Sequence, residues 1–109
     1  MLFKKQNILP IILGKKTKTL RKPNYKIKAN KRHKFICNFS DGSFGDAFVY
    51  HTEIINISEI SDELAVELGF ASADEYLAQG YNVDAGNKRL LICFKDFQLN
   101  PNWKGKIND

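Results

Sequence analysis

At 109 residues the chain is long enough for one hydrophobic core and too short for two, and a 43% hydrophobic share with thirteen aromatic residues excludes a disordered chain. Charge is distributed unevenly: the first forty residues carry twelve Lys and Arg and no acid, whereas all twelve Asp and Glu lie from Asp41 onward, so a segment at +12 precedes one at −7 within a net of +5. Such a field selects a polyanion, and no lipidation motif, basic amphipathic helix or long apolar run directs it at a membrane.

In chain order, Asn7 is placed to cap a short helix over 8–13, with Pro10 in the first turn, where its missing N–H is harmless, and Gly14 at the left-handed stop. This apolar run is only six residues long and continues into Gly14-Lys15-Lys16, so it does not have the form of a secretory signal, and a cytoplasmic location is expected. Residues 17–21 alternate as a strand and stop at the turn Lys22-Pro23-Asn24; 25–32 is basic and irregular. The pattern over 33–39 predicts a strand with Phe35, Cys37 and Phe39 on one side, and 40–45 a loop rich in turn formers. A twelve-residue strand over 46–57 follows, long enough to require a bend or bulge.

The next stretch is helical in two pieces. Ser61 or Asp62 opens the first, Leu64 and Leu68 lie on its buried side and Gly69 ends it. Ser72-Ala73-Asp74-Glu75 is a capping box for the second, which is expected to stop at Gly80. After a polar connection over 82–88, residues 89–99 form a strand apolar on both faces at 90–94, which is the pattern of a central strand. Trp103 is positioned to pin the tail over 101–109, which is otherwise polar apart from Ile107. Cys37 and Cys93 sit in apolar runs as reduced small hydrophobes, and neither they nor His33 and His51 have metal-ligand spacing, so no metal or cofactor is expected.

Two segments carry a family resemblance. Ile11-Ile12-Leu13-Gly14-Lys15-Lys16-Thr17-Lys18-Thr19-Leu20-Arg21 resembles the G-x-K-x-x-x-x-R element of ASCH domains, and Leu68-Gly69-Phe70-Ala71-Ser72-Ala73-Asp74-Glu75-Tyr76 resembles their glycine-phenylalanine helix pair. Residues 89–94 resemble the closing strand, so the likeness spans roughly 3–98 of a single domain, 1–109. It implies an α+β fold, a small PUA-like β-barrel with one short N-terminal helix and a broken helical pair inserted between strands.

The residues also suggest a site independently of the resemblance. Gly14 permits a tight turn, Lys16 stands at the strand's start, and strand alternation puts Thr17, Thr19 and Arg21 on one face, so an ammonium, a hydroxyl and a guanidinium converge. Gly14, Lys15, Lys16, Thr17, Lys18, Thr19, Arg21 and Lys22 are the candidates for binding RNA or a nucleotide, with Tyr25 or Phe44 as a stacking surface. The resemblance further implies two activities: RNA binding, and in some small members hydrolysis of N(4)-acetylcytidine by a lysine, a threonine and a helix glutamate, while ribonuclease activity is proposed for some ASCH proteins. Lys16 and Thr19 match the first two members of that set. The glutamate position holds Leu68; the nearest acid, Glu67, one residue earlier and turned by about 100° along a helix, is the candidate for the third catalytic role. A third reading is a protein-interaction module whose basic half docks an acidic partner; sequence leaves oligomeric state open.

Overall fold

The computed structural model describes residues 1–79 and 86–106. A 3-10 turn at Lys5–Asn7 runs into helix α1, Ile8–Ile12; strands β1, Lys18–Arg21, β2, Lys31–Ile36, and β3, Ser43–Asn56, follow. A second 3-10 turn at Ile57–Glu59, helices α2, Asp62–Glu67, and α3, Ala73–Ala78, and strand β4, Lys88–Leu99, complete the order. The sheet is antiparallel with strand order β1-β4-β3-β2. No helix among the described residues is long and apolar enough to cross a membrane.

β4 is central because both of its faces are apolar. Leu90, Ile92 and Phe94 join Ala47, Val49 and Phe35 on one face, where Phe3, Ile8 and Ile11 cover them. Leu91 and Cys93 join Ile55 on the other face, where α2 and α3 contribute Ala65, Leu68 and Tyr76. The aromatic centre of the first layer is Phe35, 4.9 Å from Phe94 and 4.7 Å from Phe3 between ring centroids.

The expected α+β architecture is present, but the sheet is not closed into a barrel. Four strands are too few to wrap a filled interior, and helices cover both apolar faces instead. At the β2 edge the chain start is tied on, with the Phe3 amide donating to the Ile36 carbonyl at 2.8 Å and the Ile36 amide to the Met1 carbonyl at 2.8 Å. The bend anticipated in the long strand is two register shifts in the β3–β4 pairing, between Asp46 and Phe48 and between Val49 and His51.

Local differences from the sequence reading each have a cause. Asn7 does not cap α1, because the preceding 3-10 turn already holds it in helical geometry and its side chain makes no capping bond. β2 ends at Ile36, leaving Phe39 exposed, since Asn38 accepts from the Asp41 amide at 2.8 Å and turns the chain early. β3 begins before Asp46 because Phe44 and Gly45 belong to it. Phe44 is therefore a core residue, fully buried, 5.8 Å from Phe97 and 5.9 Å from Trp103, and offers no stacking surface. Trp103 does pack the tail against the body. Ser61 and Ser72 cap α2 and α3, although the Glu75 carboxylate takes the Ala71 amide instead of that of Ser72. Gly80, the connection over 82–85 and Ile107 lie outside the described residues.

Phe35 and Phe39 supply a matched pair of tests. Phe35→Ala is expected to cost about 3–5 kcal/mol, as for a large core deletion, while Phe39→Ala stays within about 0.5 kcal/mol. Urea denaturation followed by circular dichroism reads both, and equal effects would contradict this placement of β2.

Candidate functional site

The turn after α1 aims the site. Gly14 takes φ +74°, and the amides of Lys15 and Lys16 both donate to the Pro10 carbonyl, at 2.8 and 3.0 Å, which folds the chain back on itself. The reversal delivers Lys16 inward, where it is 5% exposed. Thr17 then fastens the chain between layers, its amide donating to the Glu67 carbonyl at 2.9 Å and its carbonyl accepting from the Phe94 amide at 3.1 Å.

From there β1 pairs with β4, Thr19 opposite Ile92 and Arg21 opposite Leu90. Thr19 and Arg21 accordingly share the sheet face covered by α1, while Lys18 and Leu20 lie on the other. At this β1 edge, where the two apolar layers meet, a cavity of about 590 Å³ opens. Lys16, Thr19, Arg21 and Lys22 line it, as do Pro10 and Asn7 from the α1 side, Phe3 and Tyr25 beside the arginine, and Leu68, Gly69, Phe70 and Tyr76 from the helical side. Of the other sequence candidates, Gly14 and Lys15 lie in the exposed turn, Thr17 just precedes β1 and Lys18 opens it, and none of the four lines the cavity.

One buried and one half-buried cation give the cavity its character. The Lys16 Nζ donates to the Leu68 carbonyl at 2.5 Å. Burial, and then the charge of Arg21, lower the pKa of this amine from the ordinary lysine range to about 7. The Arg21 guanidinium sits over two rings, 4.8 Å from the centroid of Phe3 and 5.5 Å from that of Tyr25. Burial also lowers the pKa of Arg21, and its Nε is buried with no hydrogen-bond partner among the described residues.

No described residue lining the cavity is acidic. Glu67 does not line it; its carboxylate pairs with Lys18 Nζ at 3.0 Å. Leu68 turns its side chain into the second apolar layer, 1% exposed, and leaves only its carbonyl for the lysine. Of the aromatic walls, sequence reading named Tyr25 and passed over the others. Phe70 and Tyr76 were nevertheless within the second quoted segment, and Phe3 carried no local signal, since only the tertiary fold brings it beside Arg21. No group of three or more potential metal ligands occurs among the described residues.

These features define a small α+β domain with a polar, cationic cavity at one sheet edge. No protein-family model and no curated protein sequence matches the chain. Solved structures do: the ASCH protein of Zymomonas mobilis superposes with a TM-score of 0.69 at 15% identity, over 91% of this chain and 67% of that one. Serine-to-alanine and tyrosine-to-phenylalanine variants of the same protein give TM-scores of 0.72 and 0.66 at 16% identity, again over 91% of this chain and over 68% and 69% of theirs. The chain has an ASCH-like fold.

The depressed basicity of Lys16 has a consequence for stability. Below about pH 7 folded and unfolded chains both hold its proton; between there and the ordinary lysine value only the unfolded chain does, so rising pH favours the folded state. The urea midpoint of the native sequence is expected to climb relative to Lys16→Met between about pH 7 and pH 9. Parallel curves for the two proteins would show a lysine of ordinary basicity.

Proposed function

We propose that the cavity binds a nucleotide, free or as part of RNA. The observation that carries this reading is the convergence of Lys16, Thr19 and Arg21 on a single acid-free cavity walled by aromatic rings. Its volume of about 590 Å³ falls within the range of small-molecule sites, and its chemistry suits a planar base beside an anion. The rings of Tyr25 and Phe70 offer apolar walls to a base, while the buried Arg21 Nε–H and the Thr19 hydroxyl are donors for its oxygens or for a phosphate. Lys4 and Lys22, both exposed, also line the cavity and add positive potential around it. The ASCH-like fold is compatible with this function and does not by itself establish it.

Arg21→Lys keeps the charge and removes the flat, stacked guanidinium. Calorimetric titration with uridine and cytidine monophosphates is expected to show binding that weakens ~10-fold in this variant, a loss in the range of one desolvated cation–π contact. Unchanged affinity would take Arg21 out of the binding reading.

One observation favours a second reading, hydrolysis at a modified nucleoside or of RNA. An amine with a pKa of about 7 is partly neutral at physiological pH and can accept a proton, and the Thr19 hydroxyl lines the same cavity. Incubating the pure protein with N(4)-acetylcytidine and with mixed RNA separates the readings. Product that forms with the native sequence and vanishes in Lys16→Ala would carry hydrolysis; no product from either substrate leaves binding alone.

A further inference from the structure

The segment that leaves the cavity is organised in a way the nucleotide reading alone does not require. From Arg21 to Asn30 every odd-numbered residue is half-buried and every even-numbered one exposed. Tyr25, Ile27 and Ala29 pack on the first apolar layer, so they hold the segment down along one side. Lys22, Lys26 and Lys28, with Asn24 and Asn30, point outward. Between the turn at 23–24 and the bend at 29–30, Lys26 and Lys28 are two apart, a spacing of about 7 Å in extended chain, which is the scale of successive phosphates in an extended nucleic-acid strand.

Both ends of the segment are anchored. Lys22, Asn24 and Tyr25 line the cavity itself, so the segment begins at its wall. The far end is pinned by the Asn30 amide donating to the Val49 carbonyl at 2.6 Å and by a hydrogen bond between His33 Nε2 and the Lys28 carbonyl at 2.7 Å, and it continues into the exposed Lys31 at the start of edge strand β2. Among the described residues no carboxylate is paired with Lys26, Lys28 or Lys31, whereas Arg32, the next cation, is paired with Asp46.

We infer that Lys26, Lys28 and Lys31 form a phosphate track, and that the partner is a single RNA strand with one nucleotide in the cavity and its neighbours running along this strap. The inference rests on the nucleotide-binding reading and narrows it from a free nucleotide to a strand. A strand fits better than a duplex: the track is one row of cations rising directly from a cavity sized for one base, and a base in a duplex would first have to leave its stack. Packing fixes the backbone of the row, which lowers the ordering cost of binding relative to a floppy basic tail.

The test uses the intact chain, fluorescence anisotropy with labelled mixed-sequence single-stranded RNA of twelve nucleotides, and calorimetry with uridine monophosphate. The triple change Lys26→Gln, Lys28→Gln and Lys31→Gln alters exposed side chains only. It should weaken the RNA at least ~10-fold near 50 mM salt and make the slope of log affinity against log salt shallower by about 2, the effect of three lost phosphate contacts on a single strand. Uridine monophosphate binding should be unchanged. If the triple variant holds the RNA as tightly as the native sequence while the nucleotide still binds, the track is overturned and the cavity reading stands. If neither probe binds the native sequence, both fall. A duplex of equal length, or poly-glutamate, that binds as tightly as the single strand and loses the same affinity in the variant would also overturn the strand assignment.

Discussion

The hydrogen bond from Lys16 to the Leu68 carbonyl joins parts of the chain that have opposite charge and no sequence proximity. On one side is the acid-free stretch carrying α1 and β1; on the other is the end of α2, from a segment rich in acids. Burying an amine to make this contact is costly unless its donor is used, and here the carbonyl freed by the end of α2 uses it. The Thr17 amide meets the Glu67 carbonyl next to it, so two successive carbonyls at the end of a helix hold the start of a strand. Once Lys16 and Thr17 are fixed, β1 has its register on β4, and Thr19 and Arg21 have no choice but to face the cavity.

The elements with strong periodicity or a clear stop were legible. β4 was readable from an apolar run of strand length, Gly14 from its place after an apolar helix, and Ser61 and Ser72 from their position ahead of helical segments. What failed had either a distant or a local tertiary cause. Phe44 looks like a loop aromatic until Phe97 and Trp103 are brought against it, and Phe39 looks like a continuing strand until Asn38 turns the chain. Closure failed as an expectation for a different reason: strand count and cover set it, and no single residue encodes either.

For the site, the charged part was readable, and of the apolar part only Tyr25 was. Lys16, Thr19 and Arg21 are separated by a spacing that strand geometry converts into a shared direction, which alternation alone can predict. The guanidinium's partners are rings from 18 residues before and 4 residues after it, Phe3 and Tyr25, and only the pairing of the chain start with β2 makes the first of them available. Charge separation along the chain also had a structural meaning. Among the described residues no acid lines the cavity; Glu67 turns to Lys18 on the opposite face, and Asp46 to Arg32 on the far strands.

The Leu68 carbonyl takes the place beside Lys16 that an acid could otherwise fill. A carboxylate beside Lys16 would hold its proton and cancel much of the local charge. A backbone carbonyl does neither: it accepts one hydrogen bond and carries no net charge, so burial and Arg21 are left to depress the lysine. The absence of an acid from the described lining removes one proton-handling group and leaves another, the amine, competent near neutral pH. It also leaves two cations without a resident anion in an aromatic-walled space, and an incoming anion is what would relieve their mutual repulsion. The same acid-free lining among the described residues that gives hydrolysis no carboxylate to assist it therefore favours a ligand that brings its own negative charge.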